Sequence, residues 1–279
     1  MQSNSDIQLN ELGQPILHKT PCYVQPGCTF YGSDCLEVLH YIPSESVDLV
    51  FADPPFDVNI KYSGYKDKRS DYYDWCSEWI AECFRVLKPT GSFYLMTITR
   101  HLPFTLAEMA KHGVFVNLIH WRNVAGTNNK RSFWAAYQPI AFYGKTDQYK
   151  FNRYAQTRTI EDKNKRLGGY TTEPKGQLLD YWDDIPFVYA GSIGHKEAIM
   201  KKGTNSKAHP CQMPEMLPGR AILFSTDEGD TVLDPFTGSG TTAVACQKLN
   251  RNFIGCEVSP EYYELAKNRI SQKEGELFR

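Results

Sequence analysis

The pattern of apolar and polar positions predicts buried strands that alternate with amphipathic helices. Residues 47–52 (VDLVFA) form an apolar run that two prolines stop, which is typical of a buried strand. From residue 72 to residue 87, apolar side chains recur every three or four positions, and this period indicates a helix with one buried face. A Lys-Pro-Thr-Gly turn then leads into residues 92–98 (SFYLMTI), the next predicted strand.

The same alternation resumes at residue 215. Its segments are a predicted helix to about residue 225, the strand TVLD (231–234), the loop PFTGSG, a helix to about residue 249, the strand NFIGCE (252–257) and a helix over 260–272. A strand, a glycine-rich loop, a helix and a second strand form a βαβ unit, which favours a parallel sheet with helices on both faces. We therefore predict an α/β fold built on a three-layer, doubly wound and mostly parallel sheet.

The middle of the chain is less regular. A predicted helix over residues 102–112 precedes two strand-like runs, 114–121 (VFVNLIHW) and 133–144 (FWAAYQPIAFYG). Pro139 lies within the second run, and because proline donates no backbone hydrogen bond, we expect that run to be an edge strand or to be bulged there. Residues 145–206 lose clear periodicity and gain polar residues, as expected of a surface insertion.

Composition limits the class of protein. The 279 residues are 41% hydrophobic, enough for one large domain, and no run reaches the roughly 18 apolar residues of a membrane span. The N-terminus lacks the basic head and apolar stretch of a signal peptide, so we expect a soluble, cytoplasmic protein with no membrane partner. The eight cysteines contain no C-x-x-C pair and the seven histidines are scattered, which predicts reduced, mostly buried thiols and no metal site.

The net charge of −1 says little about partners, but the charges are unevenly distributed. Residues 145–207 carry twelve Lys and Arg against eight Asp and Glu, a balance of +4, while the remainder has 19 against 24, a balance of −5. A positive surface attracts the phosphates of a duplex, so this segment is the best candidate for contacts with nucleic acid. A solvated loop region with a chance excess of basic residues is the alternative.

A glycine-rich loop carries the candidate cofactor site. In VLDPFTGSGTT, the chain leaves a predicted strand at Asp234 and turns through Gly238 and Gly240 into a helix, where a ligand can approach the backbone. Glu257, nineteen residues after Gly238, is placed to accept the ribose hydroxyls of an adenosine-type cofactor. No lysine follows Gly240, which argues against a P-loop, whereas G-S-G-T-T-A remains a variant of the dinucleotide motif. The Asp234 carboxylate favours a cofactor with an ammonium group, such as S-adenosylmethionine, over a pyrophosphate.

The candidate catalytic motif is Asp53-Pro54-Pro55-Phe56, which follows the other predicted strand at the sheet edge where ligands of α/β proteins collect. An aromatic amino group is a poor nucleophile, because its lone pair is delocalised into the ring. Two acceptors for its hydrogens, the Asp53 carboxylate and the Pro54 carbonyl, would hold the nitrogen and raise its electron density. The prolines stiffen this turn, and Phe56 would stack on a base lifted out of a duplex.

The two motifs together resemble those of the amino-directed DNA methyltransferases, which modify adenine N6 or cytosine N4, in the permuted order called the beta class. The resemblance spans about residues 29 to 272. It implies an N-terminal segment (1–28) and one methyltransferase domain with a catalytic part (29–144), a target-recognition insertion (145–206) and a cofactor-binding part (207–279). It implies a site-specific enzyme that flips a base out of double-stranded DNA and transfers a methyl group to it directly from S-adenosylmethionine, without a metal.

The family's functional residues carry over to matching positions. The implied catalytic residues are Asp53, Pro54, Pro55 and Phe56, and the implied cofactor-binding residues are Asp34, Asp53, His209, Gln212, Asp234, Pro235, Phe236, Gly238, Ser239, Gly240, Thr241, Thr242 and Glu257. The sequence departs from the family at Met213, where lysine is usual, at Gln138, where relatives often have glutamate, and at Ser33, which interrupts a Gly-Asp pair. None of these changes removes a group that the chemistry requires, so we expect an active enzyme.

The target base and the partners are expectations of the same resemblance. An aspartate before Pro-Pro-Phe resembles the adenine-N6 members, whereas cytosine-N4 members more often have serine there. The candidate DNA-binding residues are Lys61, Lys66, Lys68, Arg69, Arg122, Lys130 and Arg131. A homodimer and a cognate restriction endonuclease are further possible partners. The alternatives are methylation of cytosine N4 or of an RNA base, a binding module that has kept the cofactor pocket without the chemistry, and a nicotinamide-dependent oxidoreductase.

Overall fold

The computed structural model describes residues 7–9, 15–17, 22–122, 133, 135–153, 155–159, 175–186, 197–200, 203 and 208–272. Its strands are β1 (Ile7–Leu9), β2 (Pro15–Leu17), β3 (Cys22–Gln25), β4 (Cys28–Tyr31), β5 (Val47–Ala52), β6 (Leu87–Met96), β7 (Val114–Arg122), β8 (Tyr137–Gly144), β9 (Thr157–Thr159), β10 (Lys175–Gln177), β11 (Tyr181–Trp182), β12 (Thr231–Asp234) and β13 (Asn252–Cys256). Its helices are α1 (Cys35–Leu39), α2 (Tyr72–Val86), α3 (Leu102–Met109), α4 (Met216–Ser225), α5 (Thr241–Lys248) and α6 (Pro260–Ile270).

One large sheet organises the described residues, in the strand order β11-β7-β8-β6-β5-β12-β13-β4-β3. The five consecutive strands from β6 to β4 run parallel, and β8 and β3 run antiparallel to their neighbours. Two small antiparallel pairs, β1 with β2 and β9 with β10, stand apart from this sheet. The mostly parallel sheet that the sequence predicts is therefore confirmed.

The two predicted motifs meet because β5 and β12 are neighbours in the sheet. Val232 pairs with Leu49, and Leu233 pairs with Val50. The strands that follow them along the chain lie on opposite sides, with β6 beside β5 and β13 beside β12. Such a point, where successive connections diverge, is where open α/β sheets bind ligands outside the carboxyl ends of their strands.

Strand β5 illustrates why helices cover both faces of the sheet. All six of its residues are buried, and successive side chains point to opposite faces. Val50 lies in one buried cluster with Trp79 of α2 and Met109 of α3, whereas Leu49 lies in a second cluster with Leu217 of α4. A strand that is buried at all six positions and apolar at five of them needs a hydrophobic layer on each side. The predicted three-layer, doubly wound architecture is confirmed.

The Lys-Pro-Thr-Gly turn before the second predicted strand is present, but it lies inside β6 rather than in front of it. Val47 pairs with Leu87 and Leu49 pairs with Ser92, so four residues of β6 bulge out opposite a single residue of β5. The strand therefore begins five residues earlier than its apolar run, which starts at Ser92.

The prediction that Pro139 marks an edge strand or a bulge is wrong. Strand β8 lies between β6 and β7, and the register shift of the β7 pairing falls between Phe115 and Asn117. Pairing with β6 begins only at Ile140, so Pro139 precedes the stretch of β8 that is bonded on both sides. Its missing N–H therefore interrupts no hydrogen bond to β6, and its carbonyl accepts from the Thr97 N–H at 3.0 Å.

The start of the predicted insertion is bonded to the core. The backbone N–H groups of Lys145 and Lys150 donate to the carbonyls of Gly91 and Thr90, each at 2.9 Å, and β11 extends the main sheet beside β7. Much of the rest of residues 145–206 lies outside the described residues, so the division of the chain into four parts stays a prediction.

The thiol prediction is confirmed, because all eight cysteines are free and six of them are buried. No helix within the described ranges is long and apolar enough to span a bilayer. The same residues contain no group of three or more His, Cys, Asp or Glu that could hold a metal ion.

Candidate active site

A cavity lies where β5, β12 and β13 end, under the segment of residues 57–71, which we call the cover segment. The predicted residues that line it are Asp34, Asp53, Pro54, Pro55, Phe56, Lys66, Arg69, His209, Pro235, Phe236, Gly238, Ser239, Thr241 and Glu257. Gln212, Asp234, Gly240 and Thr242 do not line the cavity but contact residues nearby. The fold thus brings both motifs, which are far apart in the sequence, to one cavity.

The glycine turn after β12 is fixed from inside by Asp234. This side chain is fully buried, and its two oxygens accept from the Thr242 hydroxyl at 2.5 Å and the Phe236 N–H at 2.9 Å. Burial raises the pKa of Asp234 to about 6. The carboxylate therefore shapes the turn. Because Asp234 does not line the cavity, the structure shows no direct contact between its side chain and a ligand there, such as the predicted contact with an ammonium group.

Both glycines of the turn have a backbone geometry that favours glycine. The φ angles are 53° at Gly238 and 84° at Gly240. A Cβ atom at Gly238 would lie 3.2 Å from Nε2 of His209, and one at Gly240 would lie 3.2 Å from the Cβ of Ala266. The backbone of this turn can therefore approach α6 and the His209 ring, and it leaves the cavity open.

Glu257 has two functions in the geometry of the site. It lines the cavity, and its oxygens accept from the Gly238 N–H at 2.9 Å and the Ser259 N–H at 2.8 Å. Burial raises the pKa of its carboxyl to about 7. Each oxygen keeps a second lone pair, so Glu257 can hold the glycine turn and also accept a hydrogen bond from a ligand.

A buried charged cluster behind the turn was missed by the sequence reasoning. Arg269 of α6 donates to Glu215 at 2.5 Å, to the Thr241 hydroxyl at 3.1 Å and to the Ser239 carbonyl at 3.3 Å. Lys248 pairs with the other oxygen of Glu215 at 2.8 Å. No local motif signals this cluster, because its members come from the end of α6, the end of α5 and the residue before α4.

Asp53 faces the cavity from the end of β5 with an unused acceptor. Its Oδ1 atom is buried and has no hydrogen-bond partner among the described residues. Burial, and then the charge of Asp234, raises the pKa of Asp53 to about 7. A buried acceptor without a partner is unfavourable, which indicates that a ligand supplies the missing donor.

His101, which precedes α3, was also missed, and it holds the catalytic turn from outside. Its Nε2 atom lies 3.0 Å from the Phe56 carbonyl, and its Nδ1 atom lies 3.0 Å from the Tyr73 hydroxyl. A hydrogen bond to this carbonyl requires the proton on Nε2 and leaves Nδ1 to accept from Tyr73, while a guanidinium nitrogen of Arg100, which can only donate, also lies 3.0 Å from Nε2. Arg100 donates to the Asp57 carbonyl at 3.0 Å and so supports the same turn. Burial lowers the pKa of His101, which favours the neutral ring.

The candidate DNA-binding residues are exposed where the structure describes them, and some are engaged within the chain. Lys68 pairs with Asp57 at 3.0 Å, and Arg69 pairs with Asp71 at 2.9 Å. Lys61, Lys66 and Arg122 are exposed as well. Lys130 and Arg131 lie outside the described residues. The DNA contacts therefore stay predictions.

Residues 209–213 belong to the segment that the resemblance places beside the methionine end of the cofactor. Some of them line the cavity, and others bond to the residues behind it. The ring of His209 lies 4.4 Å from that of Tyr262 and 6.1 Å from that of Tyr62. Gln212 bonds behind the cavity, where its Oε1 accepts from the Ile199 N–H at 3.0 Å. Met213, which replaces the usual lysine, lines the cavity itself.

Polar atoms without partners indicate what the cavity has to bind. Six buried side-chain atoms of the described residues lack a hydrogen-bond partner, and three of them belong to residues that line this cavity: Asp53 Oδ1, Asp67 Oδ1 and Trp75 Nε1. With Asp34 and Glu257, the lining contains four carboxyl groups against two basic side chains, Lys66 and Arg69. A cation that carries hydrogen-bond donors fits this lining, as S-adenosylmethionine does, whereas a pyrophosphate would meet mainly like charges.

Comparisons with known proteins agree with the two motifs. The family model described as DNA methylase, of the N6/N4 methyltransferase type, matches residues 47–268. DNA adenine methyltransferase YhdJ of Escherichia coli K12 is 34% identical over 87% of this chain and 82% of its own length. Type II methyltransferase M.BamHI of Bacillus amyloliquefaciens is 33% identical over 98% of this chain and 64% of its own length.

A solved structure shares the fold at lower identity. PvuII DNA methyltransferase, titled cytosine-N4-specific, matches with a TM-score of 0.65 and 20% identity, over 88% of this chain and 87% of its own. The match of the family model covers more than half of the chain. This chain belongs to the N6/N4 DNA methylase family.

Proposed function

We propose that this DNA methyltransferase moves a methyl group from S-adenosylmethionine to the N6 amino group of adenine in double-stranded DNA. One observation carries the proposal: Asp53, whose Oδ1 atom is buried and has no hydrogen-bond partner among the described residues, lines the same cavity as the glycine turn at Gly238. An amino group of the substrate would supply the hydrogen bond that this oxygen lacks. It would also lie next to a pocket whose carboxylates suit a cationic methyl donor.

The residues of the catalytic turn would hold and activate the amino nitrogen. The Asp53 carboxylate and the Pro54 carbonyl accept hydrogen bonds from its two N–H groups, which increases electron density on the nitrogen and fixes its direction of attack. As the nitrogen bonds to the methyl carbon, the bond from that carbon to sulfur would break, S-adenosylhomocysteine would leave and the nitrogen would release one proton. Phe56 lines the cavity beside them and stacks on the flipped base. When bound, S-adenosylmethionine supplies an electrophilic methyl group on a sulfonium centre. The glycine turn, Asp34 and Glu257 hold its adenosyl part.

Adenine is the proposed target for two reasons. Asp53 stands at the position that resembles the adenine members, and YhdJ, which is similar over most of both chains, is named a DNA adenine methyltransferase. Cytosine N4 is the second candidate, because PvuII DNA methyltransferase, named cytosine-N4-specific, shares the fold. The same acceptors could hold either amino group, so the geometry of Asp53 alone does not choose between the bases.

The test is nucleoside analysis of unmethylated duplex DNA after incubation with the purified protein and S-adenosylmethionine. We expect N6-methyladenine, and we expect a narrow set of sequence contexts when the modified DNA is sequenced at single-molecule resolution. If N4-methylcytosine formed without N6-methyladenine, the target would be cytosine N4 instead of adenine N6. Tight binding of NAD without binding of S-adenosylhomocysteine would overturn both.

We also propose two partners other than DNA, and both rest on the family resemblance alone. We propose a homodimer, which sedimentation velocity of the purified protein would test. A cognate restriction endonuclease would be tested by protection: modified DNA should resist an endonuclease that cuts the same sequence, while unmodified DNA is cleaved.

A further inference from the structure

We infer that Asp67 is a further cofactor-binding residue, whose free carboxylate oxygen accepts a hydrogen bond from the α-ammonium group of S-adenosylmethionine. The inference rests on the proposed function. Asp67 belongs to the cover segment and lies outside both sequence motifs. It lines the cavity that Asp53 and Glu257 also line, and the residue is only 1% exposed.

The two oxygens of Asp67 have different surroundings. Oδ2 accepts from the Val58 N–H at 3.0 Å, which ties the cover segment to the residues that follow the catalytic turn. Oδ1 is buried and has no hydrogen-bond partner within the described part of the chain. The fold therefore fixes this carboxylate through one oxygen and leaves the other without a donor. Such a buried acceptor is unfavourable unless a ligand supplies the hydrogen.

Asp57 shows that an aspartate in the cover segment can be fully paired. Its oxygens accept from the Lys68 ammonium and the Arg69 N–H, each at 3.0 Å, and Arg100 lies 3.7 Å away. Asp57 does not line the cavity. Aspartates of the cover segment are thus not left without partners in general. The unpartnered oxygen of Asp67 belongs to a residue on the side of the segment that lines the cavity.

The chemistry of the cofactor selects the ammonium group. S-adenosylmethionine has three kinds of donor: the adenine amino group, the ribose hydroxyls and the ammonium group. Asp34 and Glu257 are the candidate acceptors for the adenosyl part. The target base cannot donate a hydrogen bond to Asp67. Its amino group already donates to Asp53, and the ring nitrogens of adenine are acceptors. A buried carboxylate forms its strongest hydrogen bond with a charged donor, and the ammonium group is the remaining one.

The position of Asp67 agrees with this assignment. Val58, to which Asp67 is bonded, lies two residues after Phe56 of the catalytic turn. The methionine half of the cofactor carries the sulfonium centre, and this half must face the catalytic turn for its methyl group to reach the amino nitrogen. The ammonium group is part of the same half. A carboxylate attached to the catalytic turn therefore meets the methionine half rather than the adenine ring.

The test compares two ligands in binding experiments without catalysis. Asp67→Asn keeps the size of the side chain, but the Val58 N–H needs the amide oxygen, so the amide NH₂ replaces Oδ1 and points donors at the cation. We expect the affinity for S-adenosylhomocysteine, measured by calorimetry, to fall about tenfold to a hundredfold. The analogue in which hydrogen replaces the α-amino group should bind the variant and the wild type equally, within about twofold. Asp57→Asn, the matched control, should not change the ratio of the two affinities.

The outcomes separate the assignment from the proposed function. An equal loss for both ligands, or no loss for either, would overturn the assignment to the ammonium group while the wild-type protein still binds S-adenosylhomocysteine. A loss that persists with 5′-methylthioadenosine, which lacks the whole amino acid, would place Asp67 at the adenosyl part instead. A wild-type protein that binds none of these ligands would overturn the proposed function as well.

Discussion

The glycine turn and the catalytic turn lie side by side at the same sheet edge, but their polar groups are used differently. In the glycine turn, Asp234 and Glu257 each have both carboxylate oxygens bonded within the chain, and Arg269 supports the turn from behind. In the catalytic turn, Asp53 keeps a buried oxygen that has no partner in the part of the chain that the structure describes, and support comes from His101 outside the cavity. The carboxylates that hold the glycine turn are thus bonded within the chain, whereas the catalytic turn lacks a donor that the substrate would bring.

The largest effect is expected from removing that free acceptor. Asp53→Ala should lower the rate of methyl transfer by about 10²- to 10⁴-fold, because the amino nitrogen loses the group that accepts its hydrogen. The affinity for S-adenosylhomocysteine should stay within a few-fold, since the glycine turn does not depend on Asp53. Single-turnover rates and calorimetric titration measure the two quantities. Loss of cofactor binding in a folded Asp53→Ala protein would mean that the two turns are not separable as described.

The complementary change breaks the support of the glycine turn. Arg269→Met removes the hydrogen bonds to Ser239 and Thr241 and leaves Glu215 with Lys248 as its partner, so the free energy of unfolding should fall by about 3 kcal/mol. Denaturant titration measures this loss. Lys267→Met on the same helix is the control, because its exposed pair with Glu264 at 3.3 Å should contribute no more than about 1 kcal/mol. Equal stabilities of the two variants would contradict the role of the buried cluster.

The contrast between the two turns also explains what the sequence could predict. Both motifs could be predicted from the sequence because a glycine with positive φ and a proline-stiffened acidic turn are local requirements. Each is met within a few consecutive residues. The apolar run of β5 likewise needs only its own pattern. Arg269 and His101 act on residues distant in the chain, and no local pattern distinguishes them from surface charges or a core histidine. The Pro139 prediction failed because the effect of a proline in a sheet depends on where the neighbouring strand ends.

The pH dependence of the reaction sharpens the comparison through Asp53. Burial raises its pKa to about 7, so the carboxyl is protonated below that pH and loses the acceptor that the amino group needs. The value of kcat/KM for DNA should therefore rise with pH, level off above about 7, and fall roughly tenfold for each pH unit below the pKa. Because the pKa of Glu257 is also raised to about 7, the profile is measured at saturating S-adenosylmethionine and constant ionic strength. A flat profile down to pH 5.5 would show that ionised Asp53 is not required.

The smallest effect is expected at the outer support of the catalytic turn. His101→Ala removes the closer of two donors to the Phe56 carbonyl and leaves Arg100 at 3.4 Å, and one hydrogen bond contributes roughly 0.5–1.5 kcal/mol, so the single-turnover rate should fall by about threefold to tenfold. His101 touches neither the base nor the cofactor in the proposed geometry, so its role is to position Phe56. His101→Gln, whose amide can donate to the same carbonyl, should recover most of the rate, and Tyr73→Phe should have a milder effect than His101→Ala. Because the glycine turn is supported separately, the affinity for S-adenosylhomocysteine should not change in any of these variants. If His101→Ala weakened cofactor binding as much as it slowed transfer, the two turns would share one support, and the distinction drawn between them would fail.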